Sequence, residues 1–348
     1  MSSKLSEKRF NDLFSSSFGA PNDNVIAAPK YGVDVALIRL GNAMAMASAS
    51  DPLSYLPGLG AEKSAWLSVH LAANDIATTS GMPQFLQMVL TLPQHLSDEE
   101  VKTYWQAMHH FCAEAGIAIT GGHTAFPKRH ESTLAGGATL FAIGPESHFL
   151  TSEKAKAGQV LILTKKAAIA SVAILGLQFP SQMEALLGSA QTAYFESLFF
   201  KTSVLKEGRM ARRLNANKTK IHAMHDVTEG GVVGAAYEFC SASNLGLRLN
   251  LDKVPVDATQ KKVCAHFGLS PYRIIGAGSM LMAVQKENLE EVLDTLNHNH
   301  IEATAIGRFL PKEEGKTVIE NGKEAPLTPV LEDPYWNAFE KALCHETL

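Results

Sequence analysis

Five short segments of this 348-residue chain concentrate the residue types that can do chemistry. The first, Gly32-Val33-Asp34-Val35-Ala36-Leu37-Ile38, sets an acid at the start of an otherwise apolar strand pattern. A carboxylate there is costly to bury unless a cation, or solvent at a strand end, pairs with it. The second, Ser50-Asp51-Pro52, brings another carboxylate to the end of the next apolar run, although turn chemistry accounts for an Asp-Pro equally well. The third, Asn74-Asp75, is a polar pair among alanines in a helical pattern, where neither residue is a good helix former and a buried pair needs partners.

The fourth segment, Gly121-Gly122-His123-Thr124, follows a short strand pattern. Its glycines would let the backbone approach a ligand and its threonine could orient a phosphate, while an ordinary glycine turn is the competing reading. The fifth, His225-Asp226-Val227-Thr228-Glu229-Gly230-Gly231, joins an apolar strand to a helix start, where unpaired amides and the helix dipole favour an anion. A helix-capping box would use similar residues for no chemical end. Three separated aspartates with glycine-rich turns suit magnesium and polyphosphate better than a soft metal. The sequence has no G-x-x-x-x-G-K-[ST] phosphate loop and no G-x-S-x-G nucleophile elbow, so a nucleotide site would be of another kind.

Periodicity supplies the elements that must hold these groups. Two strands over 33–40 and 43–49 flank Gly41-Asn42 as a hairpin, and a long helix over 61–80 ends at Gly81 with Pro83 beyond. A strand over 84–92, a helix from Ser97 to about Ala115 with acids in its first turn, a strand over 117–120 and a strand over 134–143 complete the first half. The second half opens with a strand over 159–164. Helices near 167–178, 182–188, 190–213 and 230–243 then alternate with strands near 221–225, 279–285 and 302–309. The polar segment from Pro145 to Gly158 predicts a join near residue 150, hence two domains, 1–150 and 151–348. The fold class expected is α/β, an α+β N-terminal domain followed by an α/β C-terminal one.

Composition narrows the function. With 46% hydrophobic residues the chain can bury a large core, and a net charge of −4 without a basic run argues against nucleic acid as a partner. The segment MSSKLSEKRFNDLF has scattered charges and no apolar stretch, and no run approaches the length needed to cross a bilayer, so neither a signal nor a membrane span is expected and a cytoplasmic location is. Cys112, Cys240, Cys264 and Cys344 are too far apart for a C-x-x-C metal site.

Taken in order, the five segments resemble those of the AIR synthetase-like (PurM-like) superfamily, nearest to its AIR synthase-related and HypE-like branch. Residues 32–38 resemble its G-D-D-A-A-V-I element and Ser50-Asp51-Pro52 its T-D-[SP]. Asn74-Asp75 resembles its helical N-D, residues 121–124 its G-G-[HDE]-[TS], and residues 225–231 the H-D-x-T-x-G-G of that branch. The resemblance implies a two-domain fold that dimerises through its N-terminal strands and binds ATP in the cleft between domains. It further implies magnesium on Asp34, Asp51 and Asp75, nucleotide contacts from Asn74, Gly121, Gly122, His123, Thr124, Thr228, Gly230 and Gly231, and His225 and Asp226 at the reacting end. The expected activity is ATP-dependent phosphoryl transfer to a small molecule or an acyl or amide group. Two departures stand out: Val33 replaces the first acid of G-D-D, and the loop Thr164–Ala170 lacks the glycines and acid usual in related proteins. They motivate the alternative, a nucleotide-binding paralogue or maturation scaffold that has lost turnover.

Overall fold

The computed structural model of the protein describes residues 5–14, 18–92, 96–125, 135–188, 191–215 and 219–346. Two sheets organise it. The first has six strands in the order β1 (Val25–Ala27), β2 (Ala36–Gly41), β3 (Met44–Pro52), β6 (Ala135–Pro145), β4 (Phe85–Thr91), β5 (Ala118–Ala125). The second has seven, in the order β13 (Lys323–Pro326), β12 (Lys316–Glu320), β9 (Gly246–Asn250), β11 (Ala303–Leu310), β7 (Val160–Thr164), β10 (Met280–Val284), β8 (Ile221–Asp226). With the helices below, this is the mixed α/β, two-sheet architecture expected.

In the first sheet, alternation buries Leu37, Ala45, Ala47, Leu86, Met88, Leu140 and Ala142 under α2 (Gly60–Thr78), which packs on β3 and β6. Asn42 and Ala43 both have positive φ, 51° and 58°, which closes the β2–β3 hairpin in the hand that suits strand twist. Helix α3 (Asp98–Ala115) packs on α2 and starts with a capping box, the Ser97 hydroxyl accepting from the Glu100 amide while the Glu100 carboxylate accepts from the Ser97 amide.

The opposite side of α2 meets α7 (Leu205–Leu214) and β8 of the second sheet, so this helix is buried on most of its circumference. Its polar residues therefore need partners, and they have them. The Asn74 amide donates to Thr202 O at 2.9 Å and accepts from the Val204 N–H at 2.8 Å. The Trp66 indole donates to the Thr202 hydroxyl at 2.9 Å. His70, stacked on Trp66 with centroids 3.7 Å apart, bonds the Ser203 hydroxyl through Nδ1.

This seam corrects one expected element. The helix expected over 190–213 is two helices, α6 (Thr192–Phe199) and α7, because the Thr202 hydroxyl bonds back to Phe199 O and Asn74 captures the backbone of residues 202 and 204. Residue 190 lies outside the described residues. A second correction concerns β5, which does not turn at Gly121-Gly122 but runs through them to Ala125 in parallel register with β4, Gly122 opposite Met88.

After β7 come α4 (Ile169–Gln178) and α5 (Pro180–Leu187), with α8 (Gly231–Ala242) after β8. Helices α9 (Ala258–His266), α10 (Leu289–His298) and α11 (Pro334–Glu346), strands β1, β9, β12 and β13, and the short α1 (Glu7–Phe14) are additions to the expected set. Along β8, Ala223 joins the core under α8 while Met224 joins the core facing α2. By the same alternation His225 points toward α8 and Asp226 toward α2. Among the described residues no helix is long and apolar enough to cross a membrane.

Candidate functional site

The segment that delivers Asp34, two residues ahead of β2 rather than within a strand from residue 33, is brought against the second sheet by glycine. Gly32 has φ +76°, and a Cβ there would lie 2.6 Å from Glu238 O on α8, so only glycine permits the approach. Ser152 holds the Gly32 carbonyl at 2.8 Å, and the Lys30 ammonium donates to Ala242 O at the end of α8. Asp34 is consequently beside β8, its Oδ2 3.8 Å from His225 Nε2. Asp51 reaches the same region from the end of β3, opposite Ala138 of β6, and Asp75 from the face of α2 that Asn74 does not occupy.

These groups converge on a cleft of about 210 Å³ between the two sheets, lined by Asp34, Ser50, Asp51, Asp75, Asp226, Thr228 and Glu229 with Leu71, Ile275 and Ala277. Five carboxylates around so small a volume repel one another unless a cation or proton intervenes.

His225 carries the strongest sign of what is missing from the protein alone. Only 1% exposed, it has Nδ1 2.7 Å from the backbone carbonyl of Asp226. A carbonyl can only accept, so Nδ1 carries a proton and Nε2 is the ring atom left to face the acids. Nε2 has no hydrogen-bond partner among the described residues, and the carboxylates of Asp34 and Glu238 are 3.8 and 3.7 Å away. A cation or a proton at that point is held by the ring nitrogen and both carboxylates. Among the described residues, ligand atoms of Asp34, His225 and Asp226 fall within 4.8 Å of one another, a grouping able to hold a metal ion. Asp51 and Asp75 line the cleft without joining that group. Such a spread suits magnesium, which keeps several waters and takes one or two carboxylates together with phosphate oxygens.

The remaining candidates are placed elsewhere or are already engaged. Asn74, 1% exposed, ties α2 to the 202–204 crossing and is not among the cleft-lining residues. Gly121, Gly122, His123 and Thr124 are exposed on β5, at the edge of the first sheet, and outside the cleft lining. Gly122 has a packing reason, since a Cβ on it would lie 1.8 Å from Met88 O. At the start of α8 the expected anion is the chain's own: the Gly230 amide donates to the Asp333 carboxylate at 2.7 Å, and the Gly231 amide to Thr228 O. Burial raises the Asp333 pKa against the pull of the Gly230 and Tyr335 amides that donate to it. Thr228 alone of the glycine-loop candidates lines the cleft.

Two acids escaped the sequence reading. Glu238 is a buried acid in the otherwise apolar run of α8, and that mismatch was its signal. Glu229 lies inside the fifth segment but is absent from the site residues expected there, and it lines the cleft.

Comparison with known proteins adds relationship to this geometry. Residues 32–142 match the N-terminal domain of AIR synthase related protein, and residues 156–320 match its C-terminal domain. The carbamoyl dehydratase HypE of Escherichia coli is 26% identical over 284 residues, 80% of this chain and 79% of that protein. A selenide, water dikinase of Methanocaldococcus jannaschii is 27% identical over 242 residues, 66% of this chain and 67% of that protein. The solved structure of the hydrogenase maturation protein HypE in complex with ATP superposes with a TM-score of 0.67 at 20% identity, covering 94% of this chain and 95% of that one.

Proposed function

The chain belongs to the AIR synthase related protein family, and on that premise we propose that it is an ATP- and magnesium-dependent phosphoryl-transfer enzyme acting on a small molecule or an acyl or amide group. The observation that carries the reading is the convergence of Asp34, Asp51, Asp75 and Asp226, from four separate segments, on one cleft between the sheets. Relatives described as a dikinase and as a protein in complex with ATP support the choice of nucleotide.

In this reading Asp34, Asp51 and Asp75 hold the metal, directly or through water, and Thr228 orients a phosphate oxygen. Bound there, magnesium supplies a positive centre that neutralises charge on the polyphosphate. Most of the remaining catalysis is positioning by fixed groups. Asp226 fixes His225 through its backbone carbonyl, which leaves Nε2 as the ring atom that takes a proton from the acceptor's attacking oxygen or nitrogen. Purified protein with ATP and magnesium, offered small hydroxyl, carboxylate and amide acceptors, is expected to form ADP above a metal-free control and to lose that activity in His225→Ala.

A second reading, a catalytically degenerate nucleotide-binding paralogue or maturation scaffold, is favoured by Val33, which puts an apolar side chain where the family pattern has an acid. Nucleotide binding without ADP formation on any acceptor would select it.

The first sheet also favours a homodimer. With one face under α2, its other face presents Ile38, Met46, Phe141 and Ile143 partly exposed, with Phe85 and Val89 at 37% and 46% exposure. An apolar sheet face of that extent is a docking surface for a second copy. Sedimentation at micromolar concentration is expected to return twice the 37.5 kDa chain mass, and a monomer would exclude the assembly.

A further inference from the structure

A second cavity, of about 360 Å³, shares no lining residue with the acidic cleft. It lies where the loop after β7, the α6–α7 crossing and the turn before β11 meet, and four lysines line it: Lys165, Lys166, Lys201 and Lys206. Two of them have internal work. The Lys165 ammonium gives its three protons to Glu207 Oε1 at 2.9 Å, Lys201 O at 3.1 Å and Ser203 O at 2.7 Å. Lys166 is 3.4 Å from the Asp257 carboxylate, which also accepts from the Tyr194 hydroxyl and caps α9.

Lys201 and Lys206 differ. Both are exposed on the rim, and among the described residues neither ammonium meets a carboxylate or a carbonyl. The rim's acid outside those internal pairs is the exposed Glu302. The wall beside them is apolar, from Ile169, Leu198, Ile301 and Phe200, the last 42% exposed.

Backbone conformation marks the same place. Lys165 and His300, both in the lining, have φ of 55° and 57°. Each is a conformation that side chains other than glycine, asparagine and aspartate adopt at a cost, and such residues cluster where a fixed shape serves a ligand.

We propose that this cavity binds a small amphiphilic anion, its phosphoryl or carboxyl head between Lys201 and Lys206 and its apolar body against Leu198, Phe200 and Ile301. Two ammonium groups beside an apolar wall are complementary to an anionic head on an apolar body, and the volume suits a ligand of metabolite size. The site stands on its own and does not depend on nucleotide binding in the acidic cleft.

Two probes separate the head groups: phenyl phosphate and benzoate, each titrated calorimetrically into the full-length protein. The expected result is saturable one-to-one binding of at least one probe, weakened at least about ten-fold in the Lys201→Gln/Lys206→Gln double variant. Asp51→Ala should leave it unchanged. Binding of one probe alone assigns the head group. In wild type, raising sodium chloride to about 0.5 M should weaken binding comparably, a readout that needs no variant to fold. Absence of saturable binding by both probes, or binding indifferent to both the double variant and salt, would overturn the proposal.

Discussion

Asn74 and Asp75 are neighbours in one helix and belong to different regions of the molecule. Asn74 faces the seam, where α2 clamps the 202–204 crossing and the Trp66, His70 and Asn74 side chains all have partners in the protein. Asp75 faces the cleft, where carboxylates gather, and beside it, next to Asp34, the buried His225 Nε2 has no hydrogen-bond partner among the described residues. Polar groups bonded across the seam hold the fold together, whereas carboxylates gathered around one small cleft suit a cation from outside. The same division separates the glycine segments from the acids: Gly122 lets strands approach, and Gly230 is bound to Asp333, so both are absorbed by packing.

The comparison breaks most visibly at Asn74. Asn74→Ala leaves the carbonyl of Thr202 and the amide of Val204 buried without partners, and should destabilise the protein by about 4 kcal/mol in denaturant titration. A loss below about 1 kcal/mol would return Asn74 to the list of ligand-binding candidates.

His70 sharpens the seam side through pH. Burial pushes its pKa down to about 4 from the ordinary 6.5. As pH falls, the unfolded chain takes the proton first. Stability is therefore greatest above pH 6.5 and declines as pH drops toward 4, by about 3 kcal/mol in total. A variant His70→Gln should flatten that part of the stability profile, and an unchanged profile would show that the loss has another source.

A smaller effect is expected at Gly122. Gly122→Ala would drive a Cβ into Met88 O, at a cost of about 2 kcal/mol in stability, with nucleotide affinity unaltered. The opposite pattern, normal stability with weakened nucleotide binding, would move β5 from the packing side of the comparison to the site.

Much of the first half was legible because its signals are local. The Ser97 capping box, the Gly41-Asn42 connection and the alternation of β2 to β4 each follow from a few adjacent residues. The convergence of Asp34, Asp51, Asp75 and Asp226 was anticipated only as an ordered set of motifs, since no periodicity shows that four segments share a cleft. What escaped was set by tertiary partners. Nothing near residues 200–204 in the sequence says that Asn74 will interrupt a helix there, and the anion that fills the start of α8 comes from residue 333, about a hundred residues away. The β12–β13 hairpin was legible in principle, for Asn321-Gly322 is a strong turn signal with positive φ at both positions, but its strands are too polar to register as apolar runs.

Calorimetric titration with a non-hydrolysable ATP analogue, with and without magnesium, tests the central claim most directly when wild type, Asp51→Ala and Asp75→Ala are measured side by side. The account predicts magnesium-dependent binding in wild type, weakened about 100-fold in either variant, with unfolding midpoints essentially unchanged. Wild-type affinity in both variants, or binding indifferent to magnesium, would contradict it.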